Sequence, residues 1–429
     1  MKKDFGGKLF TWSLLAVPLF GVFSQAKVTL FSVPIYTPEV FIIIALVTLV
    51  ISRKNSVYLL APRLDTFSSA LLLIAIGLMF SAFANDMTPH GYGRMKSWFL
   101  FPILYGGMVS YALKKGMISL SDILRSVFWG GLWMGISICS SIILGRGFSY
   151  DHRLHGFLPS PNHLALFLGS TLVMAVFLGH SLPRSQNRER LFTFSGVFVF
   201  GVFLLLTQSY AVLFSMIILL CIGVFLSYHS FSRKQLVTLF LGCALGMVAL
   251  FSLSGEKWQS IVTLDARSSL ASRGMIWHAA ARMIAEHPLF GIGPGNFQDK
   301  YLQYQAYFPP YLEWSVPHPH NAFLDLWLEG GLLGVTGLAF LFWYWLSSAT
   351  KLFFQKEREY AYRILPFFLG LYFVLNGLSD VPFLRNDLMY LFVTSLIVSR
   401  YLLIVGSDKS SHRDDSGSRE YLLSVRERD

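Results

Sequence analysis

The sequence predicts an all-α integral membrane protein with about twelve transmembrane helices and one large, partly helical external loop. Three observations point there. Hydrophobic residues make up 54% of the 429 and charged residues only 14%, against about 25% charged in a soluble domain, so lipid has to cover much of the surface. Apolar runs of spanning length recur from one end of the chain to the other. Lysine and arginine gather in alternate short loops, as membrane topology demands.

The first run, 8–24, follows Lys2, Lys3 and Lys8. That pattern imitates a signal peptide, but the many later runs make it a retained helix. Further runs lie at 38–52, 66–84, 97–113, 123–145, 161–180, 191–207, 209–228, 235–253, 322–346, 363–378 and 385–405, near the ~20 residues that a bilayer core requires. The second and the eleventh are short. A very short link around Gln208 joins the seventh and eighth, where one long broken helix is the alternative.

Loop charges orient this map. With the N-terminus inside, the inner loops carry Arg53, Lys54, Arg63, Lys114, Lys115, Arg184, Arg188, Arg190, Arg233, Lys234, Lys351, Lys356, Arg358 and Arg363. The short outer loops carry only Lys27, Arg94, Lys96, Arg146, Arg153 and Arg385. Both termini are therefore expected in the cytoplasm. The net charge of +11 is explained by these loops, which argues against a nucleic-acid partner. Cys139, Cys221 and Cys243 all fall inside apolar runs, without metal-type spacing or a disulfide framework. Four segments result: helices over 1–253, an external loop over 254–321, helices over 322–405, and a polar, disordered cytoplasmic tail over 406–429.

Loops longer than about 12–15 residues are usually functional or disordered. This loop is too aromatic for disorder, with Trp258, Trp277, Trp314, Phe290, Phe297 and Phe308. It contains a helical stretch that Ser272 can cap, with Ile276, Ala280, Met283 and Ile284 on one face. His287-Pro288 ends it. Such a helix lies on the membrane surface or packs over the bundle.

Five clusters carry candidate chemistry. His318-Pro319-His320-Asn321 closes the loop. These histidines are either interfacial and satisfied by water, or metal ligands short of the three or four that zinc wants, or a general base suited to proton transfer at neutral pH. Arg273, placed at the helix start, opposes the helix dipole and favours an external anion such as a phosphate. Gly291, Gly293 and Gly295 make a tight turn that lacks the lysine and the preceding strand of a nucleotide-binding loop. Arg153, His155 and Gly156 precede Ser160-Pro161-Asn162-His163, where Ser160 reads as an N-cap and Pro161 as the first helical residue. Arg146 and Arg153 add positive charge on the side that topology leaves poor in arginine. Asp325 and Glu329 share a face of the tenth helix, one turn on from Asn321, and such carboxylates face a cavity or a partner.

These residues resemble the O-antigen ligase and polysaccharide polymerase family. The stretch from Arg273 to Asn296, within SRGMIWHAAARMIAEHPLFGIGPGNF, is similar to its loop signature. His320-Asn321, Gly331 after nine further residues, and Gly334 three beyond resemble its ligase motif, and Arg153, Gly156 and Ser160-Pro161-Asn162 its upstream motif. The resemblance implies a glycosyltransferase C-like fold and transfer of a glycan from undecaprenyl diphosphate, at the periplasmic face of the bacterial inner membrane, without a metal or other cofactor. It implies that the histidine matching His320 activates an acceptor hydroxyl with inversion, while arginines, Arg273 foremost, hold the diphosphate. His318, Asn321, Asn162 and Glu329 are further candidates for contact with substrate. The acceptor is a glycan, a lipid A core or a protein.

The family often carries an arginine in a Ser-Arg-Gly pattern after the seventh helix. Here Thr207-Gln208-Ser209-Tyr210-Ala211 puts Tyr210 in that place. Either Arg153 or Arg146 supplies the second charge, or the donor or acceptor differs. The competing readings are a transporter of lipid-linked oligosaccharide, for which the sequence shows no inverted repeat, and a non-catalytic assembly partner.

Overall fold

The computed structural model describes residues 2–23, 26–30, 33–52, 65–227, 268–305, 316–354, 360–383 and 385–411. The ninth predicted span, 235–253, lies outside the described residues. So do Trp258, Phe308, Trp314, Cys243 and the basic residues Arg53, Lys54, Arg63, Arg233, Lys234, Lys356 and Arg358.

The other predicted spans fall on helices. In chain order come α1 (Lys2–Leu19), α2 (Thr37–Ser52), α3 (Thr66–Ala84), α4 (Pro89–Arg94, which matches no predicted span), α5 (Phe101–Lys114), α6 (Leu120–Ile143), α7 (Pro161–Ser181), α8 (Asn187–Leu206) and α9 (Tyr210–Ser227). After α10 (Ser269–Glu286) and α11 (Phe297–Tyr304), which lie in the long predicted loop, come α12 (Ala322–Phe353), α13 (Tyr360–Gly377) and α14 (Asn386–Ser411). Among the described residues six helices are long and apolar enough to cross a membrane, and four shorter apolar ones accompany them.

Several elements differ from expectation. A π-helical turn, Met95–Leu100, joins α4 to α5, so the predicted fourth span is the later part of a helical run from Pro89. Thr88 caps that run earlier than expected, accepting from Gly91 N at 3.2 Å. Pro102 has no N–H, so an α-type bond back to the Trp98 carbonyl is unavailable there. Between α8 and α9 the chain turns at Gln208, whose φ is +48°, which gives two helices rather than one broken one. The backbone of α14 continues to Ser411, into the expected tail. A short antiparallel hairpin, β1 (Lys27–Leu30) with β2 (Val33–Tyr36), pairs Lys27 with Tyr36 and fills the connection between α1 and α2. Its strands are too short for an alternating pattern to announce them.

Helix α12 carries the main departure from regularity. Gly331, at φ +65° and ψ −163°, breaks it. An added Cβ would collide with the Leu289 carbonyl, so the position requires glycine. The Gly291–Gly295 turn, with φ positive at all three glycines, plugs into that break. Ile292 N donates to Leu328 O at 2.7 Å and Leu332 N to Leu289 O at 3.0 Å. These bonds satisfy backbone groups that the interrupted helix would leave orphaned in an apolar setting.

The interior is aromatic. Trp345, Phe373 and Phe392 meet at ring distances of 5.0–6.1 Å. Some buried polar groups find partners inside the bundle, the kind of bond that links helices in a membrane interior. Tyr372 Oη donates to Leu166 O at 2.8 Å, and Asn376 Nδ2 to Ser215 Oγ at 2.9 Å. Large apolar side chains such as Phe83, Phe198 and Trp343 face outward, a surface that lipid would cover.

Candidate active site

One end of the bundle gathers the predicted site. The starts of α7, α12 and α14, the end of α13 and the α8–α9 joint all meet there, and α10 packs over α12. Helix α10 begins earlier than the sequence suggested. Ser268, not Ser272, caps it, accepting from Ala271 N at 3.2 Å. Arg273 therefore lies in the second turn, beyond the reach of the helix dipole, and the dipole argument for an anion no longer applies. The end at Glu286 and the buried face of Ile276, Ala280, Met283 and Ile284 match expectation.

The segment 316–321 is pinned from three sides. Arg94 Nη2 donates to Pro317 O at 3.2 Å, and Trp277 Nε1 to Pro319 O at 2.9 Å. Asn321 Oδ1 caps α12, accepting from Phe323 N and Leu324 N at 3.0 and 3.1 Å, while its Nδ2 donates to Leu378 O at 3.0 Å. His320 is held at φ +49°, a left-handed conformation that a non-glycine residue adopts at a cost and that recurs at active sites.

His320 Nδ1 lies 3.2 Å from Asp380 Oδ1. That oxygen also accepts from Val381 N at 2.9 Å, so the carboxylate is fixed in place. Burial alone would raise the Asp380 pKa. The charge and hydrogen bond of His320, then the charges of His318 and Arg273, outweigh it and hold the carboxyl below the usual carboxylate range. His318 packs its ring 4.3 Å from that of His320 and accepts from His320 N at 3.3 Å through Nδ1. Burial, then the neighbouring His320 charge, pushes His318 down to about 3, so it stays neutral.

Arg273 is half-buried and has no hydrogen-bond or ion-pair partner among the described residues. Its charge acts on both Asp380 and Arg153. Arg153 is fixed by two bonds: Nε donates to Thr207 O at 2.9 Å and Nη2 to Asn162 Oδ1 at 2.8 Å. Asn162 Oδ1 also accepts from Ser209 Oγ at 3.0 Å. Burial lowers the Arg153 pKa; Asp151 and Tyr210 offset this in part, and Arg273 lowers it further. Tyr210 thus stands beside Arg153. Arg146 lies exposed on the turn after α6 and joins none of these bonds. Ser160 and Pro161 behave as expected, Ser160 Oγ accepting from His163 N at 3.2 Å.

Sequence reasoning missed two residues. Asp380 comes sixty positions after His320, and its only signal was an acidic side chain in a short connection between two apolar runs. Arg94 had been counted only as a loop charge. It is the ion-pair partner of Glu329, both buried. Glu329 Oε1 also accepts from Gly295 N at 3.4 Å, which ties the glycine turn to α12.

The structure also supplies the third ligand that the metal reading lacked. His318, His320 and Asp380 place one ligand atom each within 4.8 Å of one another. That is the lower limit of a catalytic zinc site. The same atoms equally make a histidine base oriented by a carboxylate.

Together these features define a multi-pass α-helical membrane protein with a histidine–carboxylate pair and two arginines at one end of the bundle. The O-antigen ligase family model matches residues 195–339, so that segment is similar to the family the motifs resemble. The match spans Tyr210, Arg273, the glycine turn, His320 and Glu329. Arg153, Asn162 and Asp380 lie outside it. Comparison with curated proteins gave no match. At family level the domain supports a membrane protein that transfers glycan as a ligase or polymerase.

Proposed function

We propose that this protein transfers a glycan from undecaprenyl diphosphate to an acceptor hydroxyl at the periplasmic face of the inner membrane, with about twelve spans and both termini cytoplasmic. The loop-charge bias supports the orientation, because it puts the bundle end holding His320 outside. The observation that carries the chemistry is the His320–Asp380 pair, whose carboxylate feels the charge of Arg273, a residue without a hydrogen-bond or ion-pair partner among the described residues.

Asp380 accepts the Nδ1 proton of His320, which leaves Nε2 as the proton acceptor. The acceptor hydroxyl gives its proton to Nε2 as its oxygen bonds to the anomeric carbon. The bond from that carbon to the diphosphate oxygen breaks, and the diphosphate leaves with the electron pair. Attack opposite the leaving group inverts the anomeric centre. Arg273 and Arg153 stabilise the charge that grows on the diphosphate. Arg273 lies close enough to lower the Arg153 pKa, and an anion between the two guanidinium groups would relieve that repulsion. The donor is already activated, so no ATP is required in the periplasm.

The test is a gel of surface glycolipid from a deletion strain rescued with wild type or His320→Ala, with lipid-linked intermediates analysed beside it. Long chains stranded on the carrier with a bare glycolipid identify a ligase. A single repeat without its ladder identifies a polymerase. Wild-type product from normally inserted His320→Ala would sink the catalytic assignment and favour a non-catalytic partner. Lipid-linked units stranded on the inner leaflet would indicate a transporter.

A further inference from the structure

His318, His320 and Asp380 each offer one ligand atom, and the three atoms lie within 4.8 Å of one another. His320 Nδ1 stands 3.2 Å from Asp380 Oδ1, and His318 Nδ1 stands 3.9 Å from the same oxygen. Neighbouring ligands of a tetrahedral zinc ion, at bonds of about 2.0–2.1 Å, stand roughly 3.3–3.5 Å apart. An octahedral ion with bonds of that length needs about 2.9 Å, which is shorter than either separation. The two observed distances bracket the tetrahedral value. Two imidazoles and one carboxylate are also a donor set that suits zinc.

The triad is held in place and open to solvent. Arg94 and Trp277 hold the carbonyls of Pro317 and Pro319, on either side of His318. Val381 N fixes the shared Asp380 oxygen. The left-handed turn at His320 brings both rings onto one carboxylate. The bond that a metal would displace is weak, since His320 N to His318 Nδ1 measures 3.3 Å, at the long end for a hydrogen bond. The His320 side chain is 25% exposed, which gives an ion a path of entry. A second carboxyl backs the three ligands. Asp325 is 4% exposed, its Oδ1 has no hydrogen-bond partner among the described residues, and the charges of His320 and Asp380 reach it. A buried carboxyl oxygen there suits a cation, and it offsets the charge of Arg273, which also reaches Asp380.

We propose that His318, His320 and Asp380 bind zinc, and that zinc switches the site off. The inhibition rests on the glycan-transfer reading; the zinc site does not. Zinc takes the lone pair of His320 Nδ1, so the ring proton moves to Nε2. Nε2 then carries a proton and cannot accept one from the acceptor hydroxyl. Asp380, bonded to zinc, no longer stabilises an imidazolium. Zinc and the catalytic proton transfer therefore need the same imidazole in two different tautomers, and each excludes the other.

The test uses full-length protein in detergent, stripped of metal with EDTA and titrated with zinc, and with cobalt as a probe of coordination geometry. Wild type is expected to take up one zinc per chain at this triad, and its cobalt form to show the strong visible bands of a four-coordinate ion. His318→Gln and Asp380→Asn should each weaken zinc binding by at least about a hundredfold, beyond the roughly 10–100-fold that outer-shell changes cost. Thermal unfolding confirms that both variants are folded. His180→Gln, at an exposed histidine of α7, should bind zinc as wild type does. In a glycan-transfer assay zinc should inhibit wild type at the concentration that fills the site, and EDTA should restore the rate. Zinc binding by His318→Gln as tight as by wild type would overturn the site. Loss of activity on stripping, and its return with zinc, would overturn the switch, because the metal would then drive the reaction. The two readings fail separately. Zinc held by the triad in a protein that transfers no glycan upholds the site and sinks the enzyme reading. Transfer by a protein whose triad binds no zinc does the reverse.

Discussion

Replacing Asp380 with asparagine keeps the size of the side chain and an oxygen facing His320, and removes only the charge. At 3.2 Å and an effective dielectric of about 20, an imidazolium and a carboxylate attract by roughly 5 kcal/mol. The His320 side chain is 25% exposed and that of Asp380 11%, so solvent reduces this by about half, to 2–3 kcal/mol. That energy stabilises the imidazolium formed as the hydroxyl loses its proton. Its loss corresponds to roughly a hundredfold fall in kcat. His320→Ala loses the base itself, typically worth about 10²–10⁴-fold. The assay is the initial rate of transfer by purified protein at saturating donor, with thermal unfolding recorded to confirm that the variant is folded. A kcat within about twofold of wild type, with the fold intact, would refute the dyad. Recovery of the Asp380→Asn rate on adding zinc or manganese would instead show that His318, His320 and Asp380 hold a metal.

Other expectations follow from the same geometry. Arg273→Ala should lower kcat/KM for the lipid-linked donor by roughly a hundredfold, the scale of one lost oxyanion-type donor, and Arg273→Lys should recover only part; a donor titration reads both. Gly331→Ala should cost about 2 kcal/mol or more, from the left-handed backbone and the collision with Leu289 O. Its Tm in detergent should fall well below that of Gly93→Ala, where an added Cβ meets nothing within 4 Å. Burial holds His318 near 3, whereas an unfolded histidine binds its proton near about 6.5. The unfolded state therefore takes up protons first as pH drops, and stability declines between about 6.5 and 3. Wild type should lose Tm over that window more steeply than His318→Gln.

The helices were legible because apolar runs of spanning length are local signals, each readable without knowing its neighbours. The loop helix was legible in its buried face and its end, since Ile276, Ala280, Met283 and Ile284 repeat at helical spacing. Its start was misplaced because Ser268 and Ser272 are both good caps one turn apart, and packing decides between them. The π-helical turn could not be read, as it depends on the register around Pro102 and on the space beside α12. Asp380 and Arg94 escaped for one reason: each finds its partner across the bundle, His320 at sixty residues and Glu329 far beyond, and no spacing rule reaches that distance. Glu329 illustrates the gap, since its membrane-depth carboxylate announced that a partner existed without naming it.

The geometry also bears on Tyr210, which replaces the arginine expected from the family resemblance. A site that lost a cation would need another in its place, and only one of the two candidates is built for the role. Arg146 is exposed and unanchored at the site, so it would order itself around an anion at the full entropic cost of a long side chain. Arg153 is already fixed by Thr207 O and Asn162 Oδ1, and the acceptors that fix it come from the start of α7 and the joint preceding Tyr210. Tyr210 and Arg273 both act on its charge, Tyr210 raising its pKa and Arg273 lowering it. A preorganised guanidinium stabilises developing charge without reorganising at the moment of reaction. The residues around Tyr210 therefore serve the site by holding Arg153 in place. On this argument Asn162→Ala, which touches neither donor nor acceptor in the proposed reaction, should lower kcat through a loosened Arg153. Arg146→Ala should leave kcat unchanged. Equal losses from the two would mean that Arg153 is not the second cation.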